Sequence, residues 1–322
     1  MKDGRTLLAA SAGFGGLAWV FLAIAATAGR APLGGLELLF LVAPLVVVPL
    51  GLRLYASNGL LRLACWLQAP AAVIAVASFW MARGPAAAAL ASGWLAVAGL
   101  AGLSGASALL RGGWRLDAGT CAGIGLVYLP VGAAWLVASR LGVAPLGFGE
   151  PIVLLTAVHF HFAGFAAAVF AAATLRVARA VGRLDRAVEL VVVFGIVAGP
   201  ALVAAGFLTT AAVSLGATSI LATCLGLLAV LTWICLPRLE AGLFRALLVL
   251  SSTSIVASML LAVAYAWGEF IGRSAIDIPH MVRLHGALNA LGFAASGLLA
   301  WNVRASGGDD PDRSRRPGQF SS

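Results

Sequence analysis

Residues 224–236 read CLGLLAVLTWICL, thirteen consecutive positions without a charged side chain. Apolar and polar residues do not alternate there. Leu41–Leu50, LVAPLVVVPL, behaves the same way. Only helices and closed barrels satisfy their backbone groups in lipid, and barrel strands alternate over segments of ~10 residues. These two stretches therefore predict membrane-spanning helices.

Working outward, ten apolar runs cover roughly 7–28, 34–54, 60–82, 86–110, 119–139, 151–175, 187–208, 212–236, 243–267 and 279–302. The 322 residues are 61% hydrophobic and 10% charged, with a mean hydropathy of +1.02. Soluble domains carry about 25% charged residues, so a water-soluble fold is excluded. At ~20 apolar residues per crossing, ten helices consume the chain and leave no room for a sizeable extramembrane domain. The expectation is an all-α integral membrane bundle over 1–303, followed by a disordered cytoplasmic tail over 304–322. Run one is longer than the ~7–15 residues of a signal-peptide core, which predicts a retained first helix.

Within the runs, Gly195-x-x-x-Gly199 and Gly99-x-x-Gly102-x-x-Gly105 supply small residues at close-packing spacing. Pro70, Pro130 and Pro200 predict kinks in runs three, five and seven. Cys65, Cys121, Cys224 and Cys235 all lie in apolar segments without a CxxC, which reads as buried thiols and no disulfide framework.

The net charge of +9 comes from 20 Arg and one Lys against 12 acids. These bases sit in short loops, so nucleic acid is not the implied partner; the lipid bilayer is. With the N-terminus inside, sixteen Lys and Arg fall on the inner side and five on the outer side. That is the positive-inside bias of a bacterial cytoplasmic-membrane protein, with both termini cytoplasmic. Arg176, Arg179, Arg183 and Arg186 form a basic inner loop suited to anionic lipid. Trp80, Trp114, Trp267 and Trp301 fit interfacial belts.

The rare ionisable residues then collect on one side. His159 and His161 lie in run six, which enters from the outer side after Glu150-Pro151, and His280 and His285 open run ten. Glu37, Glu269 and Asp277 lie at the same end. Imidazoles and carboxylates inside a membrane mark functional sites by default. His159 and His161 point about 200° apart around one helix and so face different neighbours. His285 and Asn289 share a face at i,i+4, which must point into the bundle. Asp277 is a candidate N-cap, with His280 in the first turn. Ser251-Ser252-Thr253-Ser254 either lines a path or bonds back to its own helix. Glu269 and Arg273 are spaced as an i,i+4 pair.

This placement supports several readings. His159, His161, His280 and His285 are candidate ligands for a transition metal, or for haem in a membrane oxidoreductase, with Glu37, Glu150 and Asn289 orienting the imidazoles. Alternatively, one histidine works as acid or base with Glu37 or Glu150 on a lipid or isoprenoid, without metal. A small-solute or proton relay, or a purely structural subunit, would use the same residues. The inner half of the runs holds no histidine and only Glu189 near an end, so a one-sided site favours binding or chemistry over transport. The sequence predicts that His159 and His285 approach each other across the bundle. P-loop, G-x-S-x-G, HExxH and CxxCH motifs are absent.

Two stretches carry a resemblance. Thr156–Phe165, TAVHFHFAGF, and His285–Phe293, HGALNALGF, resemble the signature segments of the YndJ-like family of bacterial polytopic membrane proteins. The resemblance covers runs six to ten and implies a shared fold and shared histidine positions, but no activity. His159-Phe160-His161 is also similar to the His-Phe-His stretch of haem–copper oxidase large subunits. That similarity implies His159 and His161 as ligands of two haems on opposite helix faces, with His285 as an opposing axial ligand. The chain departs from that family in lacking the His-His pair and His-Tyr helix of its copper site.

Overall fold

The computed structural model describes residues 2–55, 59–113, 115–239, 241–273 and 276–307. Trp114 and the tail from 308 lie outside the described residues. Every described regular element is helical. In chain order they are α1 Lys2–Thr27, α2 Gly35–Leu52, α3 Gly59–Ser78, α4 Pro85–Gly112, α5 Ala118–Leu141, α6 Ile152–Ala180, α7 Arg186–Gly206, α8 Ala211–Cys235 and α9 Leu243–Phe270. All nine are long and apolar enough to cross a membrane. A tenth, α10, spans 278–307 and is interrupted by wide turns. It therefore runs past the predicted boundary at 303, and residues 304–307 are helical.

Long-range polar contacts sort the loops into two ends. Arg53, after α2, donates to Asn302 in α10, and Arg186 donates to the Leu116 carbonyl before α5. At the other end, Arg140 donates to the carbonyls of Ser78 and Met81 after α3, and Arg83 pairs with Glu150. These are the groupings that ten alternating crossings require.

Burial separates centre from periphery. The most apolar stretches of α2 and α6 are each 72% buried within the protein, whereas that of α1 is 22% buried. α6 packs against α5, α7 and α8, and α2 abuts both α6 and α10. Gly102 and Gly105 give the close approach predicted, whereas a Cβ on Gly99 would meet nothing within 4 Å. A Cβ on Gly105 would stand 2.5 Å from the Gly123 carbonyl, and one on Gly195 only 2.2 Å from Cys224. Pro70, Pro130 and Pro200 lie inside helices. All four cysteines are free. Trp80 and Trp267 are about half exposed, 47% and 53%, as belt residues should be. Trp301 is buried against Phe170 and Phe244 and belongs to the core instead.

The main departure from regular pattern is a set of π-helical turns at Ala43–Val47, Phe160–Ala166, Val282–Gly286 and Leu288–Ala295. Periodicity does not announce such turns, because each shifts register by one residue. A widened turn misaligns carbonyls, and lipid offers them no donor. Neighbouring side chains supply it. Gln68 donates to the Pro44 carbonyl at 2.7 Å. Ser251 donates to that of Phe293 at 2.8 Å, and Ser258 to that of His285 at 3.3 Å.

Candidate functional site

The histidines of α6 diverge, as their 200° separation predicts. His161 is fully buried. Its Nδ1 lies 2.7 Å from the Ala157 carbonyl, and its Nε2 lies 3.0 Å from the Trp94 indole nitrogen. A carbonyl only accepts and an indole N–H only donates, so His161 is the neutral Nδ1–H tautomer with both nitrogens engaged. Gly132 on α5 leaves the room, since a Cβ there would meet Nδ1 at 2.5 Å.

His159 faces a cavity. Its Nε2 lies 2.8 Å from the Pro200 carbonyl and therefore donates. The Nδ1 lone pair then has no protein partner among the described residues. Pro200 removes one backbone donor from α7, and the Tyr128 hydroxyl donates nearby to the Val197 carbonyl. Side chains from α5 and α6 thus dock onto α7 around Pro200.

His285 forms a compact network with Ser258 and Asn289. Its Nδ1 is 2.9 Å from the Ser258 carbonyl, so that nitrogen donates. Its Nε2 accepts from Asn289 Nδ2 at 3.0 Å. Asn289 Nδ2 also donates to Ser258 Oγ at 2.6 Å. The predicted shared face of His285 and Asn289 is therefore present. His159 and His285 line the same cavity from α6 and α10.

The cavity has a volume of about 440 Å³. It lies among α5 to α10 in the half toward the 142–151, 207–210 and 271–277 loops, with Leu39 of α2 also in its wall. His159 sits seven residues into α6, about 10 Å from its start at ~1.5 Å per residue. The walls are aromatic and aliphatic, including Trp135, Phe148, Phe160, Phe207 and Phe293. Thr156, His159, Ser214, Thr218, Tyr265, His285 and Asn289 contribute polar atoms, and among the described residues no Asp, Glu, Lys or Arg lines it.

The other predicted site residues lie elsewhere. Glu37 turns back to accept from the Gly34 N–H at 3.0 Å and secures the start of α2. Glu150 accepts from the Ser139 hydroxyl and the Leu154 N–H, and pairs with Arg83 at 3.8 Å. His280 is exposed and bonds Asp277 at 2.7 Å. Asp277 caps α10 as expected, accepting from the His280 N–H. Those contacts hold its carboxyl below the usual carboxylate range.

Among the described residues, no three His, Cys, Asp or Glu side chains converge as a metal site. Both nitrogens of His161 and of His285 are engaged, and His280 is not part of the cavity lining. This donor set does not fit a haem held by two imidazoles or a shared metal ion. Glu269 and Arg273 do not pair within 4 Å among the described residues. Ser252 bonds back to the Leu248 carbonyl, whereas Ser251 crosses to α10. Where α6 passes into α7, Arg179 and Arg186 both clamp buried Glu189.

Sequence reasoning missed Trp94 and Ser258. Trp94 carried a signal, because an indole N–H within an apolar run needs an acceptor. Ser258 did too: Ser251, Ser254 and Ser258 follow i, i+3, i+7 spacing on one face of α9.

The profile of the YndJ-like protein family matches residues 38–293. The chain belongs to the YndJ-like family. Its cavity lies within the matched region, from Leu39 to Phe293. This YndJ-like chain is similar to the "Uncharacterized membrane protein YndJ" of Bacillus subtilis (strain 168), with 29% identity over 188 residues. That match covers 58% of this chain and 33% of the relative, so the chain spans about a third of the relative's length. No solved structure matches the chain.

Proposed function

We propose that this multi-pass protein binds an uncharged, lipid-soluble molecule in the cavity between α6, α7 and α10, with His159 contacting its polar head. The observation that carries this reading is the lining itself. An apolar, aromatic cavity of about 440 Å³ has several polar atoms and, among the described residues, no Asp, Glu, Lys or Arg in its lining. Small-molecule sites have this character: mostly apolar walls and a few placed polar groups. A phosphate or carboxylate head would be left without a cation, which is costly in low dielectric.

His159 can accept a proton at Nδ1 while Nε2–H stays on the Pro200 carbonyl. An acid–base role on the bound head is therefore within its chemistry. Glu37 and Glu150 are outside the cavity lining, so that role falls to His159 without a carboxylate partner. The bias of Arg and Lys toward one end supports a cytoplasmic-membrane orientation with both termini inside, an orientation in which the cavity belongs to the outer half.

The test is organic extraction and mass spectrometry of protein purified in mild detergent. Wild type should retain one class of neutral amphiphile near one per chain. Ala163→Phe, which fills the cavity without altering a polar group, should lose it. Equal retention by both proteins would contradict the reading.

A further inference from the structure

The polarity of the cavity's fixed groups narrows the ligand further, given that the cavity is a lipid-soluble ligand site. We propose that the head of this ligand is a hydrogen-bond donor, a hydroxyl group, whose one proton is received by either of two unpaired acceptors, His159 Nδ1 or Asn289 Oδ1. The argument is an inventory of atoms. His159 spends its only N–H on the Pro200 carbonyl at 2.8 Å, leaving a lone pair at Nδ1. Asn289 spends its amide N–H groups on Ser258 Oγ and on Nε2 and the carbonyl of His285, at 2.6, 3.0 and 3.1 Å. The Asn289 amide orientation follows from this environment: His285 Nε2 is a lone pair when Nδ1–H is on the Ser258 carbonyl, so it calls for a donor. Asn289 Oδ1 is left without a partner among the described residues.

His285 itself has nothing to offer a ligand, because both its nitrogens are engaged. The other polar groups on the wall are hydroxyls, such as Tyr265 and Thr218. A hydroxyl donates or accepts as its neighbour requires. The groups of fixed polarity are therefore both acceptors. An alcohol or phenol satisfies one of them and accepts in return from a wall hydroxyl. A ketone, aldehyde or quinone would set its carbonyl oxygen against two lone pairs, and an ether would leave both acceptors unsatisfied. An unsatisfied buried acceptor weakens binding by roughly tenfold.

The Ser258–His285–Asn289 network then has a positioning role. It holds the Asn289 amide with oxygen outward, although Ser258 is itself buried and absent from the cavity wall.

The experiment measures equilibrium binding of three probes with one C15 isoprenoid chain, farnesol, farnesal and farnesyl methyl ether, to wild-type protein in nanodiscs. His159→Phe and Asn289→Leu are measured alongside. The expected result is farnesol about tenfold tighter than either analogue, a preference that shrinks in both variants while farnesyl methyl ether affinity holds. If all three probes bind wild type equally, the hydroxyl assignment is wrong, while the cavity remains a lipid site. If none displaces from wild type with Ala163→Phe as reference, the lipid-site reading itself fails. Ser258→Ala should lower the farnesol preference without touching the cavity wall, and an unchanged preference would overturn the positioning role.

Discussion

The two sides of α6 present the same side chain in opposite conditions. His161 is packed at zero exposure between Phe40 and Trp94, with both nitrogens matched. His159, two residues earlier, keeps one nitrogen on Pro200 and turns the other toward a cavity. A single residue type at almost the same depth therefore serves structure on one face and, in the function proposed above, binding on the other. The difference lies in the neighbours. α4 and α5 bring an indole donor and the space beside Gly132, whereas α7 brings Pro200, whose carbonyl takes one proton and leaves a lone pair. In a membrane, the informative question about a polar group is which of its atoms is still unpaired.

The largest expected effect falls on the structural side. Trp94→Ala should destabilise the protein by about 3–5 kcal/mol through the void it leaves and the orphaned His161 Nε2. Thermal unfolding in detergent would show it as a drop of many degrees, and an unchanged midpoint would dissolve the contrast. His161→Phe keeps the volume but strands the indole N–H, for about 1–3 kcal/mol. On the other face, His159→Phe should leave the unfolding midpoint nearly intact and cost retained ligand. Were His159→Phe the more destabilising of the two, the roles assigned to the faces would have to be exchanged.

A smaller effect is expected at the opposite end of the bundle from the cavity. Glu189 is buried beneath Arg179 and Arg186, which are both 59% exposed. Because the arginines rehydrate when released, Glu189→Gln should cost only about 1 kcal/mol, measurable by denaturant titration. A loss several times larger would mean that this cluster, not the α6 core, sets stability.

The smallest effect concerns pH. Asp277 has a depressed carboxyl pKa in the folded chain because it caps α10 and bonds His280. Such a group stabilises above its unfolded pKa, and the contribution disappears as pH falls through the folded one. Hydrogen-exchange protection at 278–282, taken relative to the intrinsic exchange rate at each pH, should fall below the normal carboxylate range in wild type and stay constant in Asp277→Ala. Parallel profiles would remove the cap from the account.

Much of the architecture was legible because bilayer thickness dictates it. Unbroken apolar runs such as 224–236 announced the helices, and arginine placement sorted the loops into two ends. The divergence of His159 and His161 followed from helical angle alone, as did the joint face of His285 and Asn289. The site was legible only in part, for three physical reasons. The π-helical turns at Phe160–Ala166 and Leu288–Ala295 rotate later residues out of α-helical register. Carboxylates such as Glu37 and Glu150 found local employment as a helix cap and a loop tie, which sequence proximity to the outer end does not distinguish from catalysis. Finally, whether a histidine nitrogen is free depends on partners such as Trp94 and Pro200, 67 and 41 residues away.

The most direct test of the central claim, an uncharged lipid-soluble molecule held beside His159, is photoaffinity mapping with a diazirine-bearing farnesol in nanodiscs. The account predicts labelled peptides from 152–163, 203–218 and 278–293, competed by unlabelled farnesol and suppressed in Ala163→Phe. Labelling spread over lipid-facing α1 and α3, with no competition and no loss in Ala163→Phe, would contradict it.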